Sequence, residues 1–201
     1  MPSEKIIVLA TTNKGKIAEL RALLAASDIT VKGLADFPSI GDIPETGTTF
    51  AENARLKAAA VAAATGLPAV ADDSGLCVDA LGGAPGVYSA RYGGVNATDA
   101  VNNAKLLDAL RDVPPEKRAA RFVCAMAATT PDGRWAETQA AWEGVIARSP
   151  QGDGGFGYDP LFLDPSLGRA AAQLTPEEKN ARSHRGKALA RLIPLLDELL
   201  Q

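Results

Sequence analysis

The sequence has 201 residues, of which 46% are hydrophobic and 22% charged, with a formal net charge of −3. That composition argues against disorder, and the length suits one compact domain or two closely packed lobes over residues 1–201. The mild acidity argues against a protein that coats nucleic acid or an anionic membrane, because both need a strong positive field. A small anionic ligand remains compatible with it, since a local basic cluster can bind phosphates.

The cysteine and histidine content argues against a structural zinc site. Cys77 and Cys124 form no CxxC pair, and His184 is the only histidine. Both cysteines stand in apolar stretches, which is typical of free, buried thiols in a reducing compartment. The first apolar run, residues 6–10, is too short for a secretion signal or a membrane span. We therefore predict a soluble, cytoplasmic protein with no membrane or nucleic-acid partner.

The chain begins with a strand followed by a helix. Residues 5–10 read as a short buried strand, and residues 11–16 form a polar turn. A helix follows, because Ile17, Leu20 and Leu24 recur on one helical face. Strand, turn and helix in this order predict an α/β fold.

A second helix begins after Thr49. Glu52 stands three residues later and completes a capping box, while Gly66 marks the C-terminal end. Residues 67–71 then give a short apolar strand that leads into two aspartates.

The middle of the chain predicts a loop, a helix and a hairpin. Residues 82–94 are rich in glycine and lack periodicity, so they read as a loop. Thr98 caps the next helix. Two strands, residues 121–129 and 135–146, flank a Pro-Asp-Gly turn at 131–133, which predicts an antiparallel hairpin.

The last quarter predicts a second glycine loop and a helical end. Residues 152–157 contain four glycines. Thr175 and Glu178 give a strong helix start with a proline between them. The final helix carries a leucine stripe and contains Pro194, where we expect a kink.

The first candidate site is the segment Thr11–Lys16, Thr-Thr-Asn-Lys-Gly-Lys. It lies after a strand and opens a helix, where backbone N–H groups and the helix dipole favour a phosphate. It matches neither a Walker A loop nor a GxGxxG loop. Taken alone, a polar turn with lysines is more often a solvated turn.

The second candidate is Asp72-Asp73-Ser74-Gly75. Adjacent carboxylates at the end of an apolar strand are costly unless they face water, a cation or hydrogen-bond donors. Such carboxylates can share Mg²⁺ with substrate phosphates, and one can deprotonate a water molecule. The alternative interpretation is an acidic β-turn.

Two further segments add ligand-binding potential. Residues 154–160 combine glycines with Phe156 and Tyr158, whose rings could stack on a nucleobase; the alternative is a flexible loop with one aromatic packed in the core. Lys179 and residues 183–187 form a basic segment around His184, which could bind phosphate oxygens or a base carbonyl, or be a solvated basic face.

These segments together resemble the inosine/xanthosine triphosphate pyrophosphatases. The matching motifs cover nearly the whole chain in family order: residues 11–16 with Glu19-Leu20, Glu45-Thr46-Gly47 with Phe50 and Glu52-Asn53-Ala54, residues 71–76, residues 82–86 with 89–92, residues 155–160 and residues 183–186. Each motif is weak alone, whereas all of them in order are highly specific.

The resemblance implies a fold, an activity and a set of site residues. The fold is α/β, a long, curved mixed sheet flanked by helices, with two lobes around a central cleft. Asp73 matches the general base and a metal ligand. Matches to substrate-binding positions are Thr11, Thr12, Asn13, Lys14, Gly15, Lys16, Lys57, Ser74, Phe156, Gly157, Tyr158, Asp159, Lys179, His184 and Arg185.

The resemblance also implies Mg²⁺ as cofactor, a homodimer and a nucleoside triphosphate substrate. Pro44 stands where relatives carry a second metal-binding glutamate. Either the adjacent Glu45 substitutes, or the metal relies on Asp73, phosphates and water. Water would attack the α-phosphorus, giving a nucleoside monophosphate and pyrophosphate, with Lys14, Lys16 and Lys57 neutralising the phosphates.

The expected substrates are non-standard purine nucleotides such as dITP and XTP. His184 and Arg185 would donate to the six-position carbonyl, which explains rejection of ATP but not of GTP. Two alternatives remain open at this point. One is a Maf-like nucleotide pyrophosphatase with another base preference, and the other is a non-catalytic nucleotide-binding regulator, which the paired aspartates argue against.

Overall fold

The computed structural model describes residues 5–25 and 27–201. Within these residues the strands are β1 (Lys5–Leu9), β2 (Ile29–Gly33), β3 (Ala69–Val78), β4 (Ala119–Thr129), β5 (Trp135–Ile146), β6 (Phe162–Asp164) and β7 (Arg169–Ala170). The α-helices are α1 (Lys14–Leu24), α2 (Phe50–Thr65), α3 (Asp99–Ala109), α4 (Pro176–Arg182) and α5 (His184–Leu199).

The strands form a mixed sheet in the order β2-β1-β3-β4-β5-β6-β7. β1 pairs in parallel with both β2 and β3, which requires the helical crossovers α1 and α2. β6 pairs antiparallel with both β5 and β7. The predicted mixed sheet with flanking helices is confirmed.

Local sequence signals fix the helix ends. Thr49 accepts a hydrogen bond from the Glu52 N–H in a reciprocal capping box, and Gly66 ends α2 with a φ of 67°, a value that favours glycine. Thr175 and Glu178 form the same box at the start of α4. These predicted helix starts are confirmed.

The predicted hairpin is also confirmed. β4 and β5 are neighbours in the sheet, and the chain reverses between them at residues 130–134. The Gly133 N–H donates to the Thr130 carbonyl at 3.0 Å. Gly133 has a φ of 88°, so the turn requires glycine there.

The chain divides into two compact units. Unit 1 comprises residues 1–73, 124–140 and 185–201, and unit 2 comprises residues 74–123 and 141–184. Unit 1 has two apolar clusters, one around Leu20, Met126 and Leu189 and one of small side chains from α2 and β3. Unit 2 is centred on Phe122, Trp142 and Phe162.

Two sequence predictions need correction. β3 does not end at residue 71 but continues through Asp72, Asp73 and Gly75 to Val78, so the acidic β-turn interpretation is wrong. Long-range ion pairs stabilise these carboxylates inside the strand, as described below. The segment 82–94 is not all loop, since residues 86–91 form a 3₁₀-helix.

The structure also locates the two cysteines and the proline of the last helix. Cys77 and Cys124 are free thiols; Cys124 is buried and Cys77 is half-buried. Pro194 lies inside α5, which continues past it. No helix in the described residues is long and apolar enough to cross a membrane.

Candidate active site

Asp73 in unit 1 lies at the centre of a buried polar cluster. The residue is only 6% exposed. The Lys57 ammonium donates to one Asp73 oxygen, Oδ1, at 3.1 Å, and the Asn53 amide donates to the other, Oδ2, at 3.2 Å. Lys57 also donates to the Glu45 carboxylate at 3.0 Å and to the Asp72 carbonyl at 2.8 Å. The structure therefore brings together Asp73, Lys57 and Glu45, three of the residues singled out in the sequence.

The electrostatics of this cluster suit a proton acceptor. Burial raises the pKa of Asp73 above its ordinary value, and the positive charges of Lys57 and Lys16 only partly oppose that rise. Burial alone would lower the pKa of Lys57, but Asp73 and Glu45 hold it above its ordinary value. Lys57 therefore stays charged beside a carboxylate whose pKa has moved towards neutrality, which favours general base catalysis.

Asp72 has a different environment from its neighbour. It is fully buried and makes ion pairs with Lys16 at 2.9 Å and with Arg185 at 2.8 Å. Burial would raise the pKa of Asp72, but Arg185 and Lys16 hold it well below its usual range. Asp72 is therefore a permanent anion that neutralises two cations, and it is not a candidate base.

Two carboxylates of unit 1, Asp72 and Glu19, hold the Arg185 side chain. Its guanidinium donates from Nε and Nη2 to Asp72 and from Nη1 to Glu19, and the side chain is buried in unit 1. The prediction placed it on the six-position oxygen of a purine. In the structure these three donors form a buried ion-pair network, which stabilises Asp72 because an unpaired carboxylate would be strongly unfavourable there. The contact of Arg185 with a purine stays a prediction.

The segment Thr11–Lys16 forms the N-terminus of α1 as predicted. The Asn13 side chain caps the helix by accepting from the Lys16 N–H at 3.0 Å, and Thr11 accepts from the Asn13 N–H. Thr12 and Lys14 are exposed, whereas Gly15 and Lys16 are half-buried. The positive end of the helix dipole and two lysines thus coincide in one short segment of unit 1, which favours an anion.

The base-side residues predicted from the sequence lie in unit 2. Asp159 and Lys179 form a buried ion pair at 2.6 Å, and Asp159 also accepts from the Phe156 N–H at 2.8 Å. The Lys179 ammonium lies 4.8 Å from the centre of the half-buried Phe156 ring. These three residues are therefore brought together by direct contacts. Ser74 is half-buried within β3.

Tyr158 differs from the stacking prediction, whereas the substrate contact of His184 stays a prediction. Tyr158 is buried in the unit 2 core, and its hydroxyl donates to the Ser89 carbonyl at 2.8 Å. Its ring is therefore core packing and does not offer an exposed stacking face. His184 is also buried, with its imidazole stacked on the Phe122 ring at 4.8 Å.

Helix α3 holds Gly157, which sequence reasoning did not foresee. The Asp99 carboxylate accepts from the Gly157 N–H at 2.6 Å, and the Asn103 amide donates to the Gly157 carbonyl at 2.9 Å. Asp99, Asn103, Phe156 and Gly157 line part of a cavity of about 460 Å³ in unit 2. The spacing of four residues between Asp99 and Asn103 is the available signal, since it places both on one helix face.

The donor set of unit 1 fits a hard divalent cation. Mg²⁺ is usually bound by one or two carboxylates, with phosphates and water completing its shell. Glu45 and Asp73 both contact the same ammonium nitrogen, so they already face one positive charge. No cluster of three or more histidine, cysteine or acidic side chains suited to a metal occurs in residues 5–25 and 27–201. Two carboxylates that face one positive charge fit a metal ion shared with substrate phosphates.

Fold and site together define an α/β protein with a buried acid–lysine centre and a helix N-terminus that carries two lysines. The model of the Ham1 family matches residues 7–195. A dITP/XTP pyrophosphatase of Nitratidesulfovibrio vulgaris is 62% identical over 195 residues, covering 94% of each chain. One of Geobacillus kaustophilus is 53% identical over 196 residues, covering 98% of this chain and 96% of the relative. The chain belongs to the Ham1 family.

Solved structures agree with this family assignment. A HAM1 protein from Coxiella burnetii superposes with a TM-score of 0.87 at 49% identity, covering 96% of this chain and 99% of that one. A protein from Mycobacterium abscessus described as a nucleoside-triphosphatase and dITP/XTP pyrophosphatase gives a TM-score of 0.76 at 49% identity, covering 94% and 99%. The resemblance inferred from the motifs is confirmed.

Proposed function

We propose that this protein hydrolyses non-standard purine nucleoside triphosphates, dITP and XTP, to the monophosphate and pyrophosphate. The observation that carries the proposal is Asp73, a buried carboxylate of raised pKa held between Lys57 and Asn53. The names of the relatives support the substrate class, since two of them at 62% and 53% identity are dITP/XTP pyrophosphatases. They disfavour the Maf-like and regulator alternatives.

Asp73 would orient a water molecule and accept its proton as the oxygen attacks the α-phosphorus. A base with a raised pKa is better matched to this transfer near neutral pH than an ordinary carboxylate. Lys57 contacts Asp73 directly, so it can place positive charge next to the reacting phosphate. Lys14 and Lys16, at the N-terminus of α1, would bind the remaining phosphates and neutralise the departing pyrophosphate.

Asp72 would control Lys16 in this scheme. Its ion pair holds the Lys16 ammonium at 2.9 Å while leaving that lysine 14% exposed. A lysine held in place loses less side-chain entropy when it contacts a phosphate, which favours binding.

Magnesium is part of the proposal, with Asp73 and Glu45 as the residues that would hold it. When bound, Mg²⁺ would supply positive charge to the phosphate oxygens and lower the pKa of coordinated water. Lys57 lies between these carboxylates and would keep a neighbouring positive charge whenever the nucleotide is absent.

Base recognition is proposed for unit 2. The Phe156 ring could stack on the purine, and the Lys179–Asp159 pair could provide a donor and an acceptor for its edge. A site with a donor for a carbonyl leaves the six-amino group of adenine unmatched, which would disfavour ATP.

The proposal includes a homodimer. Tyr88, Val95 and Val101 are apolar side chains that are exposed in unit 2, and a second copy could cover such a surface. Sedimentation or light scattering of the purified protein would give the mass directly, and a monomer at micromolar concentration would contradict this part.

The central test is the product formed from each nucleotide. We expect dITP and XTP to release pyrophosphate, ATP and GTP to react far more slowly, and EDTA to abolish the release until Mg²⁺ is restored. Pyrophosphate and orthophosphate are measured in parallel by ³¹P NMR. Orthophosphate as the sole phosphate product, or no release from any nucleotide, would contradict the proposed function.

A further inference from the structure

Asn53 is a buried polar side chain with two hydrogen bonds to separate segments of unit 1. It lies in the first turns of α2 and is only 1% exposed. Its amide nitrogen donates to Asp73 Oδ2 at 3.2 Å, and its amide oxygen accepts from the Gly47 N–H at 2.8 Å. One amide thus connects β3 to the segment that precedes α2.

The geometry around Gly47 shows how closely this segment approaches Asn53. A Cβ atom at Gly47 would lie 2.7 Å from the Asn53 amide oxygen and 2.7 Å from the Glu52 Cβ. Both distances are shorter than van der Waals contact, so only glycine allows this approach. Asn53 and Gly47 are therefore matched to one another, and the segment cannot move closer or turn without breaking their hydrogen bond.

Asn53 and Lys57 contact the same two segments. They are four residues apart on α2, so they lie on one face of the helix. Lys57 contacts Glu45 and Asp73 Oδ1, whereas Asn53 contacts Gly47 and Asp73 Oδ2. Each oxygen of the Asp73 carboxylate is thus held by its own side chain. This fixes the rotation of the carboxylate as well as its position.

We propose that Asn53 is a positioning residue, which orients the Asp73 carboxylate for its reaction with water and sets the Glu45–Gly47 segment beside it. This inference rests on the proposed function, because it assigns Asn53 a role only if Asp73 is the base. The neutral amide is suited to that role: it donates to the carboxylate without adding a second full charge to the site. Lys57 contributes positive charge, and Asn53 fixes the orientation of the Asp73 carboxylate.

Asn102 in unit 2 offers a matched control. It also stands four residues after a threonine cap, Thr98, and it is also buried. Its amide oxygen accepts from the Gly93 N–H at 2.6 Å, as Asn53 does from Gly47. Its amide nitrogen, however, donates to the Ala90 carbonyl and not to a carboxylate. Asn102→Ala therefore removes the same kind of hydrogen bond between a helix and a glycine N–H, but at a place that does not contact Asp73.

The experiment compares Asn53→Ala and Asn102→Ala in steady-state hydrolysis of dITP with saturating Mg²⁺, together with thermal unfolding. We expect both substitutions to lower the Tm. Asn53→Ala should lower kcat ~10–100-fold with KM changed less than about threefold, since a misoriented catalytic group costs rate and not binding. Asn102→Ala should keep kcat within about threefold of wild type.

Three results would overturn the inference. These are an unchanged kcat in folded Asn53→Ala, a raised KM with unchanged kcat, or an equal loss of kcat in both variants. If Asn53→Ala does not fold, Gly47→Ala replaces it, because the added methyl group disturbs Asn53 from its other side and should lower kcat in the same way. An inactive wild-type protein would instead refute the proposed function, so the two failures are distinguishable.

Discussion

Asp73→Asn should lower the turnover of dITP ~10²–10⁴-fold, the range expected when a general base is lost. Asparagine keeps the size of the side chain and can still contact Lys57 and Asn53, but it cannot accept a proton from water. The variant should fold, because Lys57 retains Glu45 and the Asp72 carbonyl as partners. Pyrophosphate release under single-turnover conditions measures the effect on chemistry directly.

The control for this prediction is Asp79→Asn. Asp79 follows β3 closely, but its carboxylate is largely exposed and pairs with Arg121 outside the Asp73 cluster. It should keep nearly wild-type turnover. If Asp73→Asn were as active as Asp79→Asn, Asp73 could not be the base, whatever the stability of the two variants.

Asp72→Asn should lower the free energy of unfolding by about 3–5 kcal/mol, the cost of removing one partner from a buried ion pair. The asparagine would leave Arg185, which is 2% exposed, and Lys16 without their shared anion. Urea unfolding at pH 7 measures the loss from the midpoint at an unchanged m-value. Asp72→Asn should therefore act mainly on stability, whereas Asp73→Asn should act mainly on turnover.

An exposed ion pair provides the comparison for Asp72. Asp108, near the end of α3, pairs on the surface with Arg111, which follows the helix, so Asp108→Asn should cost no more than about 1 kcal/mol. If Asp72→Asn does not fold, the double variant Asp72→Asn/Arg185→Met should recover part of the stability, because it also removes the buried guanidinium that has lost one of its two carboxylate partners. A loss of less than about 1 kcal/mol in Asp72→Asn would contradict the buried ion-pair interpretation.

The same ion pair predicts a pH dependence with a definite sign. The pKa of Asp72 is depressed in the folded state, so its contribution to stability is fully present above its unfolded pKa of about 4. The contribution is lost as pH falls below that value towards the folded pKa. The stability difference between wild type and Asp72→Asn should therefore be constant from pH 5 to 8 and shrink below about pH 4. A stability difference between the two proteins that grows on acidification would contradict the depressed pKa of Asp72.

The features that the sequence predicts well depend on neighbouring residues. The capping boxes at Thr49 and Thr175 and the turn at Gly133 are decided within a few positions, so their residue types are sufficient evidence. The order of motifs also identified the family, because together they exclude chance agreement.

The features that the sequence does not predict depend on contacts between residues far apart in the chain. Asp72-Asp73-Ser74-Gly75 resembles a turn by composition, yet it continues a strand because Asp72 pairs with Arg185, 113 positions away. A single sequence gives no measure of that distance. Asn53 was visible as part of a motif, and its spacing of four from Lys57 on an alanine-rich helix was the signal for a shared polar face.

The sequence separation of the Asp72–Arg185 pair also has a consequence for biosynthesis. During translation, β1, α1, α2 and β3 emerge well before α5, so the Asp72 carboxylate can pair with Lys16 before Arg185 is available. The unit cannot acquire its native charge balance until the start of α5 has been synthesised and has docked against earlier elements. Contacts of such long range form late and slow folding. Nascent chains of this protein should therefore be most sensitive to proteolysis until Arg185 has left the ribosome.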